Sequence, residues 1–279
     1  MRKHPSALKL TDAAKPATFE VEAYNERGEM VPTSIAGEHP LTLYLDKREI
    51  VTLMTLGHAP EALAIGYLRN QRLADSIDDI AAVQVDWETE SVAVTTHAQK
   101  APKNLGKKTV TSGCGQGTMY GDLMEEIDSV KLRDDVRLTD ADLFVLLEKV
   151  RKHETIYKQS GAVHGCALAT TAGEILMFVE DVGRHNAVDA IAGRMWLEDI
   201  DGSDKVFYTT GRLTSEMVIK CAQMRIPFLV SRSGLTQMGH AIASKVGITM
   251  LGRASVRHYL AFTGKERLVR TTPQPTALA

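Results

Sequence analysis

Residues 206–231 read Val-Phe-Tyr-Thr-Thr-Gly-Arg-Leu-Thr-Ser-Glu-Met-Val-Ile-Lys-Cys-Ala-Gln-Met-Arg-Ile-Pro-Phe-Leu-Val-Ser. Val206 to Thr209 is a short run of β-branched and aromatic residues, which suits a buried strand. Glycine and hydroxyl residues interrupt it, and Glu216 to Met224 then carries apolar residues at helical spacing. Phe228 to Ser231 is a second strand-like run. The alternation continues into a helix over Met238 to Val246 and a strand over Ile248 to Leu251. Upstream, strands at Val163 to Ala169 and Ile175 to Val179 meet through Thr171-Ala172-Gly173, and a helix carries Val188, Ile191, Ala192 and Met195. Thr139 followed by Asp142 resembles a capping box ahead of Leu143, Leu146, Leu147 and Val150. Met119, Leu123 and Ile127 mark one face of a further helix. Strands alternating with helices predict an α/β fold: an open sheet with helices on both faces.

Before residue 99 the texture differs. Leu41 to Leu45 alternates, and Ile50 to Leu56 is an apolar run. Pro60-Glu61 opens a helix, because proline suits the first helical position and an acid suits the positive end of the dipole. Leu63, Tyr67 and Leu68 fall on its buried side, and Ile80 to Val85 and Val92 to Thr96 read as strands. Strands around one helix predict a small α+β roll. The basic stretch 99–108, with Pro, Asn and Gly, reads as a linker. The expected organisation is a flexible tail over 1–17, an N-terminal roll and linker over 18–108, a C-terminal domain over 109–270 and a flexible tail over 271–279.

The 279 residues hold 33 Lys+Arg against 35 Asp+Glu, a net charge of −2, which excludes a strongly basic nucleic-acid binder. Three cysteines do not make a disulfide framework and suit a reducing compartment. The charged N-terminus lacks the apolar core of a secretory signal. No stretch approaches the roughly 18 apolar residues of a membrane span. These features predict a cytoplasmic protein that binds neither nucleic acid nor membrane.

Thr111-Ser112-Gly113-Cys114-Gly115-Gln116-Gly117-Thr118 is the sharpest local signal. The glycines leave the Cys114 sulfur uncrowded, and a thiol just ahead of a helix feels its positive end, which favours the thiolate. Lys107 and Lys108 add positive potential if the loop folds over them. Cys221, on a helix face with Met217 and Met224, reads as core packing, as does Cys166 in the strand after His164.

Glu180-Asp181-Val182-Gly183-Arg184-His185-Asn186-Ala187-Val188-Asp189 joins a strand to a helix, where open α/β sheets bind ligands. Arg184 can grip a phosphate bidentately, and His185 stands at a helix start. Gly211-Arg212 repeats the theme before the next helix, and Gly252-Arg253-Ala254-Ser255-Val256-Arg257-His258-Tyr259 is a third basic cluster after the last sheet strand. Three such loops point to a large anionic ligand carrying several phosphates.

Taken together, Thr-Ser-Gly-Cys-Gly, Gly161-Ala162-Val163-His164, the segment from Glu180 to Asp189 and Gly211-Arg212-x-x-Ser215-Glu216 resemble the FdhD family of formate dehydrogenase accessory proteins. Glu61 to Leu68 looks like that family's N-terminal helix, and the resemblance covers roughly residues 40–268. It implies a sulfurtransferase-type sulfur carrier, with a small N-terminal roll, a cytidine-deaminase-like C-terminal domain and a tendency to dimerise. The resemblance further implies that Cys114 accepts sulfur from a cysteine desulfurase as a persulfide. That sulfur passes to the molybdenum cofactor, as bis(molybdopterin guanine dinucleotide), before the cofactor enters formate dehydrogenase. The cofactor is then a bound substrate, with no metal held directly by the protein. Its binding residues are carried over to Arg253, Ala254, Ser255, Val256, Arg257 and His258, beside Asp181, Arg184, His185, Gly211 and Arg212.

Two departures stand out. Many family members carry Cys-Gly-x-Cys, whereas the second cysteine position here is Gly117. The family prefers a Gly-Arg pair where this chain has Arg-Ala-Ser-Val-Arg-His. A zinc deaminase would need Pro-Cys-x-x-Cys and a Glu two residues after its first ligand, and the chain has neither. The remaining alternative is a non-catalytic chaperone that delivers the cofactor without moving sulfur.

Overall fold

The computed structural model describes residues 8–99, 127, 130–153 and 155–271. Among them are six α-helices: α1 (Pro60–Asn70), α2 (Asp140–His153), α3 (Ile156–Ser160), α4 (Arg184–Leu197), α5 (Ser215–Gln223) and α6 (Gln237–Val246). The chain divides into two compact units. The first comprises Met1–Tyr120, Glu154–Cys166 and Val179–Ile200, and the second Gly121–His153, Ala167–Phe178 and Asp201–Ala279. This grouping cuts across a sequence boundary near residue 108, since residues 154–166 and 179–200 cluster with the N-terminal segment.

The strands of the first unit include β1 (Lys9–Leu10), β2 (Thr18–Tyr24), β3 (Met30–Ala36), β4 (His39–Leu45), β5 (Arg48–Thr55), β6 (Ile80–Asp86) and β7 (Ser91–Thr96). Five of them form one sheet in the order β1-β6-β7-β4-β5. β4 and β5 pair antiparallel, as do β6 and β7, while β4 and β7 run parallel. Alternation puts Leu41, Leu43, Leu45, Val83, Val92 and Val94 in the interior. Helix α1 packs against β6, β7 and α4, so it is buried nearly all round and not on one side as its spacing suggested. Its closest approach is to α4. A Cβ placed on Gly66 would lie 1.6 Å from the Asp189 carbonyl oxygen, and one on Gly193 2.0 Å from that of Ala62. The backbones touch, and no side chain fits between them. Polar bonds flank this seam: Arg69 Nη1 donates to Ala192 O (2.7 Å), and Asn70 Nδ2 donates to Asp189 Oδ1 (2.7 Å).

One expectation needs correction here. Residues 9–15 are not a loose tail. β1 pairs with β6, Ala13 N donates to Glu61 Oε1, Trp87 Nε1 donates to Ala13 O, and Lys15 N donates to Gly57 O. The partners lie far along the chain, so local composition gives no sign of them. The ribbon β2–β3 was also unforeseen, because its outward positions carry Phe19, Tyr24, Met30 and Ile35 exposed and its apolar pattern is broken.

In the second unit, β8 is the short strand Leu138–Thr139. The six-stranded sheet follows the order β10-β9-β11-β12-β13-β14: β9 (His164–Thr170), β10 (Ile175–Asp181), β11 (Lys205–Thr209), β12 (Phe228–Ser231), β13 (Thr249–Ser255) and β14 (His258–Thr263); of β9 and β10, residues 167–170 and 175–178 belong to this unit. β11, β12 and β13 are parallel neighbours, and β14 returns antiparallel. On one face Val206, Tyr208, Phe228, Val230 and Leu251 pack with Leu143, Leu146, Leu147 and Val150 of α2. Alternate residues Phe207, Leu229 and Met250 are buried on the other face. The expected cap of α2 is present, with Asp142 N donating to Thr139 Oγ1 at 3.0 Å. The last strand, however, does not stop at Leu251. It runs to Ser255, so Arg253 to His258 belong to a β-hairpin and not to a loop beyond the sheet. The assembly is a mixed α/β fold with several sheets.

Candidate functional site

Candidate residues lie in both units, and each unit is described by itself. In the first unit, the segment from Glu180 to Asp189 is mostly scaffold. Glu180, buried at the end of β10, accepts from Thr155 N, Thr155 Oγ1, Ile156 N and Tyr157 N at 2.9–3.2 Å, so its carboxylate caps the start of α3. Asp181 is buried as well. Its Oδ2 accepts from Thr55 Oγ1 (2.5 Å) and Leu56 N (3.3 Å), and its Oδ1 accepts from Gly183 N (3.2 Å) and Asn186 Nδ2 (2.9 Å). Burial pushes its pKa up to about 6 despite these four donors, each of which favours the charged form. Asn186 Nδ2 also donates to Met54 O at 2.6 Å, tying the turn to the end of β5.

Glu180, Asp181, Asn186 and Asp189 are all bonded internally, and Arg184 and His185 lie between them in sequence. Both are half-buried on the first turn of α4. Asp181, a ligand candidate in the sequence, holds with its carboxylate the turn that carries Arg184 and His185. Cys166 is fully buried with its Sγ 4.0 Å from Arg184 O, and Cys221 is fully buried in the second unit, both as core residues.

In the second unit, the C-terminal ends of β11, β12 and β13 are knitted into one edge. Ser231 Oγ donates to Gly211 O (2.6 Å), Ser233 N to Ser231 Oγ (2.9 Å) and Arg253 N to Ser233 O (2.9 Å). Leu213 N donates to Gly234 O at 3.0 Å, and Leu213 and Leu235 form a parallel bridge. Gly211 is buried in this edge, and Arg212 stands exposed on it. Below it, Lys220 is 2% exposed with Nζ 3.4 Å from Glu216 Oε1, an ion pair inside α5 that the sequence did not suggest.

At the hairpin, Ala254 is buried in the sheet, while Arg253, Ser255, Val256, Arg257 and His258 are exposed around the tip. Ser255 pairs with His258, leaving Val256 and Arg257 as a two-residue loop. Val256 has φ +33°, at a position where such loops favour glycine. A β-branched residue there is strained by about 1–3 kcal/mol. Val256→Gly is therefore expected to raise stability by about 1 kcal/mol, after the entropy cost of glycine. Thermal denaturation checks this, and an unchanged or lower melting temperature refutes it.

Cys114, the loop 111–118, the helix expected over 119–127 apart from Ile127, and residues 100–108 of the expected linker lie outside the described residues. No helix among the described residues is long and apolar enough to cross a membrane.

The model of the FdhD/NarQ family matches residues 36–269, most of the chain. The chain belongs to the FdhD/NarQ family. Among its FdhD relatives, the sulfur carrier protein FdhD of Listeria innocua is 29% identical over 94% of this chain and all of its own length. That of Listeria monocytogenes (strain EGD-e) is 30% identical over 90% of this chain and 95% of its own. A crystal structure of a Desulfotalea psychrophila protein, described as a formate dehydrogenase accessory protein, superposes with a TM-score of 0.74. It shares 26% identity and covers 91% of this chain and all of its own. The FdhD match spans both units, so the roll and the sheet domain belong to one family architecture.

Proposed function

We propose that this chain is a sulfur carrier for the maturation of formate dehydrogenase. It receives sulfur on Cys114 from a cysteine desulfurase and delivers it to the molybdenum cofactor in its bis(molybdopterin guanine dinucleotide) form. The observation that carries this reading is the family match over residues 36–269, with relatives along nearly their whole length that are named sulfur carriers. In the loading step the Cys114 thiolate attacks the terminal sulfur of the desulfurase persulfide. A new S–S bond forms on Cys114, and the desulfurase leaves as its thiolate. Release of that sulfur as sulfide takes up two electrons, which an external thiol reductant supplies. With glycine at 117 no neighbouring thiol expels the sulfur as an intraloop disulfide, so one cysteine suffices for carriage.

The cofactor is the cargo. Arg212 and the hairpin from Arg253 to His258 in the second unit, and Arg184 and His185 in the first, are the groups suited to its phosphates. In this reading the C-terminal domain is a cytidine-deaminase-like fold that has lost the zinc ligands, and the protein works in the cytoplasm as a homodimer. Gly117 also favours a second reading, a chaperone that holds the cofactor and moves no sulfur.

Intact-protein mass spectrometry after incubation with a cysteine desulfurase and cysteine separates the two. The expected result is a gain of one sulfur atom in the wild type and none in Cys114→Ala, with formate dehydrogenase activity lost in a strain carrying that variant. No gain in either protein selects the chaperone. Undiminished formate dehydrogenase activity with Cys114→Ala rejects the carrier.

A further inference from the structure

The ribbon of β2 and β3 is a sheet of its own, in register from Thr18 opposite Ala36 to Tyr24 opposite Met30. Two backbone bonds fix which of its groups point outward. Gly37 N donates to Ala17 O (2.8 Å) and Asn25 N donates to Glu29 O (3.0 Å), so the hydrogen-bonded pairs fall at the odd-numbered residues of β2. The N–H and C=O groups of Thr18, Glu20, Glu22 and Tyr24 therefore face away from β3, and no strand among the described residues pairs with them. On β3 the outward position opposite Glu22 is Pro32, which has no N–H to offer. Helix α3 also packs mainly against β3. Proline and helix blunt that edge, and the β2 edge is left open among the described residues.

The open edge carries a pattern that selects its partner. Phe19, Val21 and Ala23 share one face of the ribbon with Ile35, Thr33 and Val31 of β3, while Glu20 and Glu22 project on the other. Phe19 is 43% and Ile35 49% exposed, so the apolar row is only partly covered. Glu20 and Glu22 are exposed. Residues directly opposed across two strands share a face, where opposite charges stabilise the pairing and like charges weaken it. A strand laid on this edge thus fits with Lys or Arg against Glu20 and Glu22, and with apolar side chains beside Phe19, Val21 and Ala23. The surrounding charge acts the same way. Between Thr18 and Ala36 stand four glutamates and one arginine, a net −3 in a chain whose total is −2. A second copy of β2, paired antiparallel about Val21, would set Glu20 against the other copy's Glu22, so the edge repels itself.

We propose that the β2 edge, Thr18 to Tyr24, docks an extended segment of a partner protein as a third strand, and that this segment alternates basic with apolar residues. Main-chain bonds to Glu20 and Glu22 hold the segment, and their carboxylates set its register. The proposal is independent of the carrier reading.

The test is fluorescence anisotropy of a labelled peptide that alternates lysine with valine, titrated with the full chain. The peptide is N-methylated along one edge so that it cannot build fibrils. A second peptide has glutamate in place of lysine, and a third is N-methylated along both edges. The wild type is expected to bind the first about tenfold more tightly than either of the others, and less tightly as salt is raised. Glu20→Lys combined with Glu22→Lys should reverse the preference between the lysine and glutamate peptides. Glu20→Pro removes an outward N–H at a position where the ribbon itself makes no bond. It should weaken the lysine peptide by about tenfold and melt within a few degrees of wild type, whereas Glu20→Gln, which keeps the N–H, should weaken it less. Equal binding of the three peptides, binding of none, or lysine-peptide binding that survives both the charge reversal and the proline overturns the proposal. A dimer in sedimentation that becomes monomeric with Glu20→Pro puts a second copy on this edge and overturns it as well.

Discussion

Replacing either Gly66 or Gly193 with alanine is expected to unfold the first unit or leave it barely stable. A methyl group on Gly66 would sit 1.6 Å from the Asp189 carbonyl oxygen, and one on Gly193 2.0 Å from that of Ala62. Both obstacles are helix backbone, which cannot swing aside as a side chain does. The helices must therefore separate, and the flanking bonds from Arg69 to Ala192 and from Asn70 to Asp189 stretch with them. Overpacking commonly costs about 1–3 kcal/mol, and more where backbone has to move. Whole-domain stability is only about 5–15 kcal/mol. The expected reading is a poor soluble yield or a melting temperature lowered by about 10 °C or more. Gly234→Ala is the control, since nothing lies within 4 Å of a Cβ there. Gly66→Ala and Gly193→Ala melting within about 2 °C of wild type would mean that the helices do not touch.

Asp181→Asn is expected to destabilise the protein at every pH, and most strongly in mild acid. The four groups facing this carboxylate are all donors in the geometry observed, so an amide must turn its own NH2 towards two of them. Each buried polar group left without a partner costs about 1–3 kcal/mol. The pH dependence follows from burial. The folded pKa, about 6, lies above that of a free aspartate, so folding takes up a proton between the two values. The stability contributed by Asp181 is fully present below about pH 4 and is lost as pH rises through about 6. Asparagine does not titrate, so the stability gap between wild type and variant should shrink by about 1 kcal/mol from about pH 5 to about pH 7.5. Urea denaturation of both proteins across that range measures it. A gap that stays constant would place the carboxyl at an ordinary value.

Much of the architecture was legible from residues 163–251. β-Branched runs such as Val206 to Thr209 and Phe228 to Ser231 alternate there with helices of clear spacing, and both signals are local. What escaped was set by distant partners. The order of residues 9–15 depends on Glu61, Gly57, Trp87 and β6. Glu180 and Asp181 stand together at a strand end in sequence, and only the arrival of residues 155–157 and 55–56 shows what their carboxylates bond. Arg184, His185 and Arg212 stand out in the sequence as candidates because a glycine precedes them or their neighbour at a strand end.

The seam between α1 and α4 also governs how the chain is made. Helix α1 leaves the ribosome early, whereas its partner helix ends only at Leu197. At cellular elongation rates the interval is on the order of ten seconds. Throughout it the apolar surface of α1 that α4 will cover has no permanent partner, and the nascent segment is a natural client for holding chaperones. A ribosome stalled before residue 184 therefore carries an incomplete first unit, with α1 lacking the helix that covers it.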